Sequence, residues 1–243
     1  LLRFEQRTTP DARPQERDVT ERFLVYGHRG SPRRFPENTV ASFEETLRAG
    51  ADGFETDLRL LADGTPILFH DDEWQEVDIE TLTSEWMPTV GYELARVRDL
   101  AAFAERTQMI LEVKRAKWED VLLSEIAEWP NIVVASFDHR TIAELATRKV
   151  PFDLGLTVFG SIVDIGDYAR KLGAKWLFPS FRYVDADLVH DLHLHGIRCV
   201  PWTVNRERNW QRLREIGCDG VITDYAAEAV AWRNSEFKIQ NSK

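Results

Sequence analysis

Short apolar runs punctuate this chain. "FLVYGH", "GFETDLR", "PILFH", "MILEVK", "NIVVASF", "DLGLTV", "AKWLFPS", "RCVPWTV" and "GVITD" each carry the β-branched and aromatic bias of a strand. Between most of them the spacing turns helical. "TVASFEETLRAG" opens after Asn and stops on Gly, and "TIAELATRK", "IVDIGDYARKLG", "DADLVHDLHLHG" and "ERNWQRLREIG" follow the same logic. From Val133 onward a strand begins about every 22 residues, the repeat of a βα unit. The pattern predicts a TIM (β/α)8 barrel, a fold of roughly 250 residues. The rival is an open doubly wound sheet. That fold would call for a Gly-rich dinucleotide loop after the first strand, and "GHRGSPRRFPENT" lacks the fingerprint.

Nine strand candidates are one too many for eight. Asp63-Gly64 is a turn signal between two alternating runs, and a hairpin folded there sets residue 57 opposite 70 and 55 opposite 72. The second barrel strand is therefore expected to run on into a hairpin. Its return arm brings His70 beside Asp57 and need not join the barrel. Residues 1–22 read as a polar arm, 23–235 as one barrel domain with a short insertion at about 72–100, and 236–243 as a polar tail.

Composition narrows the chemistry. The formal charge is −10 and no long Lys/Arg run occurs, which argues against nucleic acid or an anionic membrane as partner. The two cysteines, Cys199 and Cys218, fit neither a disulfide framework nor a zinc motif and read as reduced packing residues of a cytoplasmic protein. No run is long enough to span a bilayer, and the first residues lack the apolar core of a signal peptide.

Acids interrupt the strands at particular phases. Side chains on a strand alternate faces, so Glu55 and Asp57 share one face while Phe54, Thr56 and Leu58 share the other. In "ILEVK", Glu112 and Lys114 share a face opposite Leu111 and Val113. On a wet antiparallel pair such patterns would be ordinary. In a barrel the apolar phase packs outward on the helices, and the acids converge near the C-terminal strand ends, where barrel enzymes keep their chemistry. Three converging carboxylates repel and lose hydration unless a cation lies among them. A hard divalent ion with oxygen ligands, Mg²⁺ or Ca²⁺, answers that need. His28 and His70 each end a strand run and suit general acid–base work, although either residue alone would more often be a hydrogen-bonded core histidine. Arg29 offers a fork matched to phosphate oxygens. With Lys114 and a dication it brings three acids and a phosphodiester close to neutrality.

These residues carry a resemblance. "HRGSPRRFPENTVASFEETLRAGADGFETDLRLLADGTPILFHD" resembles the signature of the glycerophosphodiester phosphodiesterase family, and "LEVK", "VVASFD", "WTVN" and "GCDGVITD" resemble its later blocks in order. The match runs from about Tyr26 to Tyr225. It implies a TIM barrel with an insertion after His-Asp. It also implies hydrolysis of glycerophosphodiesters to glycerol 3-phosphate and an alcohol. By the same resemblance Glu55, Asp57 and Glu112 are metal ligands, His28 and His70 the acid–base pair, and Arg29 and Lys114 phosphate contacts. Glu37 and Asn38 shape the first loop, with Asn38 a candidate to face the metal. Trp202 is similar to a pocket-lining aromatic, with plain barrel packing its equal alternative.

The departure from the family pattern follows His70. The family's Arg-Thr-Thr and Gly-rich stretch is replaced by "DDEWQEVDIETLTSEWMPTVGYELARVRDL", which is short and acidic. Glycerol specificity is thereby put in question. Trp74, Trp86, Met87 and Tyr92 form either an apolar wall of a more open mouth or a core beneath a loop. Two further functional readings stand beside the hydrolase: a lysophospholipase D or cyclic-phosphate-forming enzyme on a bulkier substrate, and a non-catalytic phosphoester-binding barrel. His139, His190, His193 and His195 lack an evident third ligand and indicate no second metal.

Overall fold

The computed structural model describes residues 22–85 and 95–240, with no side-chain description for 237–240. Its strands are β1 (Leu24–Gly27), β2 (Gly53–Leu60), β3 (Pro66–Leu68), β4 (Glu73–Trp74), β5 (Val77–Asp78), β6 (Gln108–Val113), β7 (Ile132–Ser136), β8 (Asp153–Val158), β9 (Trp176–Pro179), β10 (Arg198–Cys199) and β11 (Gly220–Thr223). The helices are α1 (Val40–Arg48), α2 (Glu119–Ile126), α3 (His139–Thr147), α4 (Ile165–Lys171), α5 (Ala186–Leu194), α6 (Glu207–Glu215) and α7 (Ala226–Gln240). Eight strands pair in parallel in the order β10-β9-β8-β7-β6-β2-β1-β11. Hydrogen bonds from Asp219 N–H to Cys199 O and from Ile222 N–H to Pro201 O, each 2.9 Å, bring the two ends together. The result is the expected TIM barrel, nearly closed. The predicted polar arm up to residue 21, the tail from 241 and Trp86, Met87 and Tyr92 lie outside the described residues.

Strand phase divides the apolar residues into two layers. Phe54, Leu58, Leu111 and Val113 point outward into the large core beneath the helices. Tyr26, Ile110, Val133, Ala135, Trp176, Phe178, Val200 and Ile222 fill the barrel interior and form an apolar floor. Local signals set the helices. Thr39 caps α1 by accepting from Ser42 N–H, and Asp185 caps α5 by accepting from Leu188 N–H at 2.9 Å. On α7, Arg233 donates to Phe23 O and Gly50 O and pairs with Asp52, tying the last helix to the first two strands.

The hairpin forms, but its register differs from expectation by one residue. Leu58 pairs with Leu68 and Leu60 with Pro66, so Asp57 lies opposite Phe69 rather than His70, whose N–H to Asp57 O bond is made by Phe69 at 3.0 Å. By the same count residue 55 does not face 72. The cause is turn length. Leu61 N–H donates to Thr65 O, leaving three residues in the loop, and only Gly64 adopts positive φ (+79°). That is a type I turn closed by a left-handed glycine, not the two-residue turn that Asp-Gly predicts. β3 pairs only with β2 and stays off the barrel path, as expected.

Beyond His70 the insertion is a small β4–β5 hairpin and a 3-10 turn at Ile79–Thr81. Trp74 packs at 6.0 Å from Phe69 in a satellite core with Leu61, Ile67, Ile79 and Leu82, so it is a core residue under a loop.

Aromatic packing holds β2 in place. Phe54 is fully buried, stacked on Phe43 at 4.1 Å and edge-on to Phe103 at 5.2 Å. Phe54→Ala is expected to cost about 3–5 kcal/mol of unfolding free energy. Urea denaturation checks this, and a loss below about 1 kcal/mol would mean that the site strand is held by something other than its outer face.

Candidate active site

Because β2 and β6 pair in parallel with Asp57 opposite Glu112, the inward phase of both strands gathers Glu55, Asp57 and Glu112 at one place. Oxygens of the three lie within 4.8 Å of one another, and all three residues are buried. Burial, then repulsion from Asp57, pushes the Glu55 carboxyl up to about 8. Burial also raises Glu112, with Lys114 opposing and Asp57 adding to the rise. For Asp57 burial acts upward too, but the adjacent Lys114 and Arg29 charges outweigh it and hold the group below its ordinary range. Lys114 Nζ sits 2.7 Å from Asp57 Oδ1 and also pairs with Glu112 Oε1. Arg29 Nε lies 3.2 Å from Asp57 Oδ2, and Arg29 N–H donates to Glu55 Oε2 at 3.0 Å. These two cations do not neutralise the three acids and Glu37 together. The hard oxygen donors, their mutual proximity and the excess negative charge fit a divalent cation such as Mg²⁺ or Ca²⁺.

The loop after β1 locks this arrangement. Arg29 and Asn38 both adopt left-handed backbone, φ +52° and +55°, and Asn38 N–H donates to Arg29 O. Asn38 Nδ2 donates to Asp57 Oδ2 at 2.9 Å, while its Oδ1 accepts from Thr56 Oγ1 at 2.8 Å. Asn38 therefore orients Asp57. Glu37 takes both Arg29 Nη1 bonds, at 2.9 and 3.0 Å, and fixes the guanidinium. Gly27 permits the turn, since a Cβ there would lie 2.3 Å from Gly30 O.

Both histidines face the same cleft, and each has a carboxylate on Nδ1. His28 Nδ1 is 2.7 Å from Asp224 Oδ1, and Asn205 Nδ2 donates to the other Asp224 oxygen. His70 Nδ1 is 2.7 Å from Asp71 Oδ1. An ionised carboxylate only accepts, so Nδ1 carries the proton and Nε2 is the exchangeable atom. Burial alone would lower the His28 pKa. The Asp224 bond and the Glu55 charge outweigh it, and the group ends above its ordinary value. His70 is fixed from behind by the buried Arg59, whose Nε and Nη2 donate to His70 O and whose Nη2 reaches Asp72. Hence the one-residue register change still leaves His70 at the cleft.

The cleft holds about 430 Å³ and has two halves. One is the charged set, His28, Arg29, Glu55, Asp57, His70, Glu112 and Lys114. The other is apolar, formed by Ile110, Ala135, Phe137, Phe178, Trp202 and Ile222 with Thr157. Trp202 both lines the cleft and anchors to the barrel through Nε1 to Phe178 O at 2.8 Å, so its two readings coexist. A wider groove by α2, lined by Ala101, Arg106, Leu123 and Trp129, gathers no comparable set, and its Arg106 is held by Glu44.

Sequence reasoning missed Asp224, Asn205, Asp71 and Arg59 as site-building residues. The signals were present: Asp224 ends "GVITD", Asn205 ends "WTVN", and Asp71 follows His70. The remaining histidines serve elsewhere. His193 meets Asp219 at 3.0 Å, His195 meets Asp191 O, and His139 lies by Tyr168 and Thr157 O. Among the described residues the Glu55–Asp57–Glu112 group is the one cluster suited to a metal, and no helix is long and apolar enough to cross a membrane.

Known proteins of this architecture are similar along most of the chain. A glycerophosphodiester phosphodiesterase of Caldanaerobacter subterraneus subsp. tengcongensis is 28% identical, over 83% of this chain and 93% of its own. The structure of glycerophosphodiester phosphodiesterase from Thermotoga maritima superposes with a TM-score of 0.77 at 23% identity, covering 86% of this chain and 97% of that one. An Oleispira antarctica phosphodiesterase in complex with the product sn-glycerol-3-phosphate gives 0.77 at 20% identity, over 87% and 96%. The family model described as the glycerophosphoryl diester phosphodiesterase family matches residues 28–122 and 104–228, a span from His28 past Asp224, and the chain belongs to that family.

Proposed function

We propose that this protein hydrolyses glycerophosphodiesters to sn-glycerol 3-phosphate and an alcohol, using His28 and His70 as general acid and base beside a divalent cation held by Glu55, Asp57 and Glu112. The observation that carries this reading is the convergence of two carboxylate-paired imidazoles and three buried acids on one cleft. A barrel that merely binds phosphoesters has no need of two such imidazoles. When bound, Mg²⁺ or Ca²⁺ supplies Lewis-acid polarisation of a phosphoryl oxygen. Arg29 and Lys114 face the same oxygens and offset the negative charge that grows on them. One histidine Nε2 removes the proton from the attacking hydroxyl as its oxygen bonds to phosphorus. The other gives a proton to the departing alcohol oxygen as the second P–O bond breaks. Where the glycerol hydroxyl itself attacks, a cyclic phosphate forms, and water opens it with the histidine roles reversed. One domain over residues 23–235 carries this chemistry, on a small diester rather than a nucleic acid, since a net charge of −10 repels polyanions. The free, buried Cys199 and Cys218 support a reducing compartment, the cytoplasm.

Three outcomes follow from these assignments. His28→Ala and His70→Ala should each lower kcat on glycerophosphocholine by roughly 10²–10⁴ with thermal unfolding little changed; near-normal turnover in either variant would remove the acid–base roles.

In chelator, Glu55 must ionise inside the fold against burial and Asp57. Its folded pKa is raised, so the native state binds more protons than the unfolded state and stability falls as pH rises above the ordinary glutamate range of about 4.3. The melting temperature should decline between about pH 5 and the raised value near 8. Glu55→Gln should flatten that decline, and Mg²⁺ or Ca²⁺ should reverse it in the wild type while restoring activity. A pH-independent melting curve in chelator, identical in the variant, would contradict the buried anionic cluster.

Asp224 acts through His28. Asp224→Asn removes a cause that raises the His28 pKa, so the imidazole should titrate lower by NMR and kcat should drop with KM little altered. An unmoved His28 titration would deny Asp224 this positioning role.

A further inference from the structure

The mouth of the cleft carries a surface that phosphoryl chemistry does not use. Phe137, Phe159, Tyr183 and Trp202 follow β7, β8, β9 and β10 in turn, one aromatic from each of four successive loops at the C-terminal end of the barrel. Their rings touch in series. Phe137 meets Trp202 edge-on at 5.5 Å, Trp202 meets Phe159 at 6.3 Å, and Phe159 meets Tyr183 at 5.5 Å. Phe159 is nevertheless 64% exposed, and the loop it begins exposes Ile162 by 45% and Val163 by 88%. Phe137, Phe159, Ile162, Val163 and Tyr183 make up half of the large exposed apolar residues found in the described chain. Their concentration beside one cleft marks a recognition surface rather than scattered exposure.

Continuity with the cleft identifies the occupant. Phe137 and Trp202 belong both to the apolar half of the cleft and to the ridge, so a diester seated with its phosphoryl group on the charged half has an unbroken apolar path outward. A quaternary ammonium headgroup would need rings held apart around it. Here the rings pack against one another and leave no such box. A continuous aromatic ridge suits a hydrocarbon chain.

We propose that this ridge binds a single acyl or alkyl chain on the glycerol of the substrate, so that the protein takes one-chain lysophospholipids as well as deacylated diesters. The inference rests on the phosphodiesterase reading above. Hydrolysis breaks the P–O bond to the headgroup alcohol. Water supplies a hydroxyl to phosphorus and a proton to the alcohol, leaving a chain-bearing glycerol phosphate.

The test measures KM for glycerophosphocholine and for lysophosphatidylcholines with acyl chains of four to ten carbons, all below their micellar concentrations and with Mg²⁺ present. KM should fall roughly fourfold for each added pair of methylenes, as expected for partial burial of each group. Phe159→Ser with Val163→Ser, both at exposed positions, should abolish that dependence and leave glycerophosphocholine turnover unchanged. Calorimetry with decylphosphocholine, a one-chain diester without a glycerol hydroxyl, reads the ridge independently of turnover. Wild type should bind it at least tenfold more tightly than the double variant. Equal binding by both proteins, or a KM insensitive to chain length while glycerophosphocholine is hydrolysed, would overturn the ridge assignment alone. Loss of all turnover with chain-dependent binding intact would instead uphold the ridge and sink the hydrolase reading. A KM that follows headgroup methylation rather than chain length would make the surface a headgroup site. A changed oligomeric mass in the double variant without chain dependence would make it a contact between copies, and either result overturns the proposal.

Discussion

Three carboxylates held within a few ångströms inside a protein are an electrostatic problem before they are a catalytic asset. Glu55, Asp57 and Glu112 converge because two parallel strands place the same phase inward at the same height. Their charge is tolerated because Lys114 and Arg29 enter from neighbouring positions of the same cleft. Much of the surrounding architecture serves that balance. Glu37 holds Arg29, Asn38 holds Asp57, and the left-handed turns at Arg29 and Asn38 are stabilised by these bonds. Backbone strain of this kind costs on the order of 1–3 kcal/mol per residue and persists only where packing and hydrogen bonds over-determine it.

The two imidazoles obey a common rule reached by different routes. Asp224 lies 196 residues from His28 and meets it only because the last strand pairs with the first. Asp71 is the neighbour of His70, and the pair is held by Arg59 reaching through from β2. One histidine thus depends on closure of the barrel and the other on a local insertion. The apolar floor of Tyr26, Ile110, Trp176 and Phe178 lies beneath both and keeps water from approaching the acids from below.

Legibility in the sequence followed the range of the interaction. Strand phase is local, so the inward set Glu55, Asp57, Glu112 and Lys114 and the outward set Phe54, Leu58, Leu111 and Val113 could be separated by alternation alone. The βα repeat is likewise local and yielded the barrel. Asp224 could not be paired with His28 from the sequence, because nothing near either residue encodes closure between β1 and β11. The aromatic ridge escaped notice for a related reason. Its rings come one per loop from Phe137, Phe159, Tyr183 and Trp202, with no periodicity to join them. Trp74, conversely, looked like a wall of the mouth and is the roof of a small core.

The hairpin between β2 and β3 is closed by Ala62, Asp63 and Gly64, all exposed. An exposed tip ordinarily tolerates length changes, yet here it works as a ruler. Removing one residue would swing Leu68 and Phe69 to opposite sides of their strand, turning buried apolar groups toward the catalytic mouth and dragging the histidine out of alignment. A loop that touches no substrate thereby fixes where a proton can be delivered, which makes its size, more than its composition, the property that drift or engineering must leave alone.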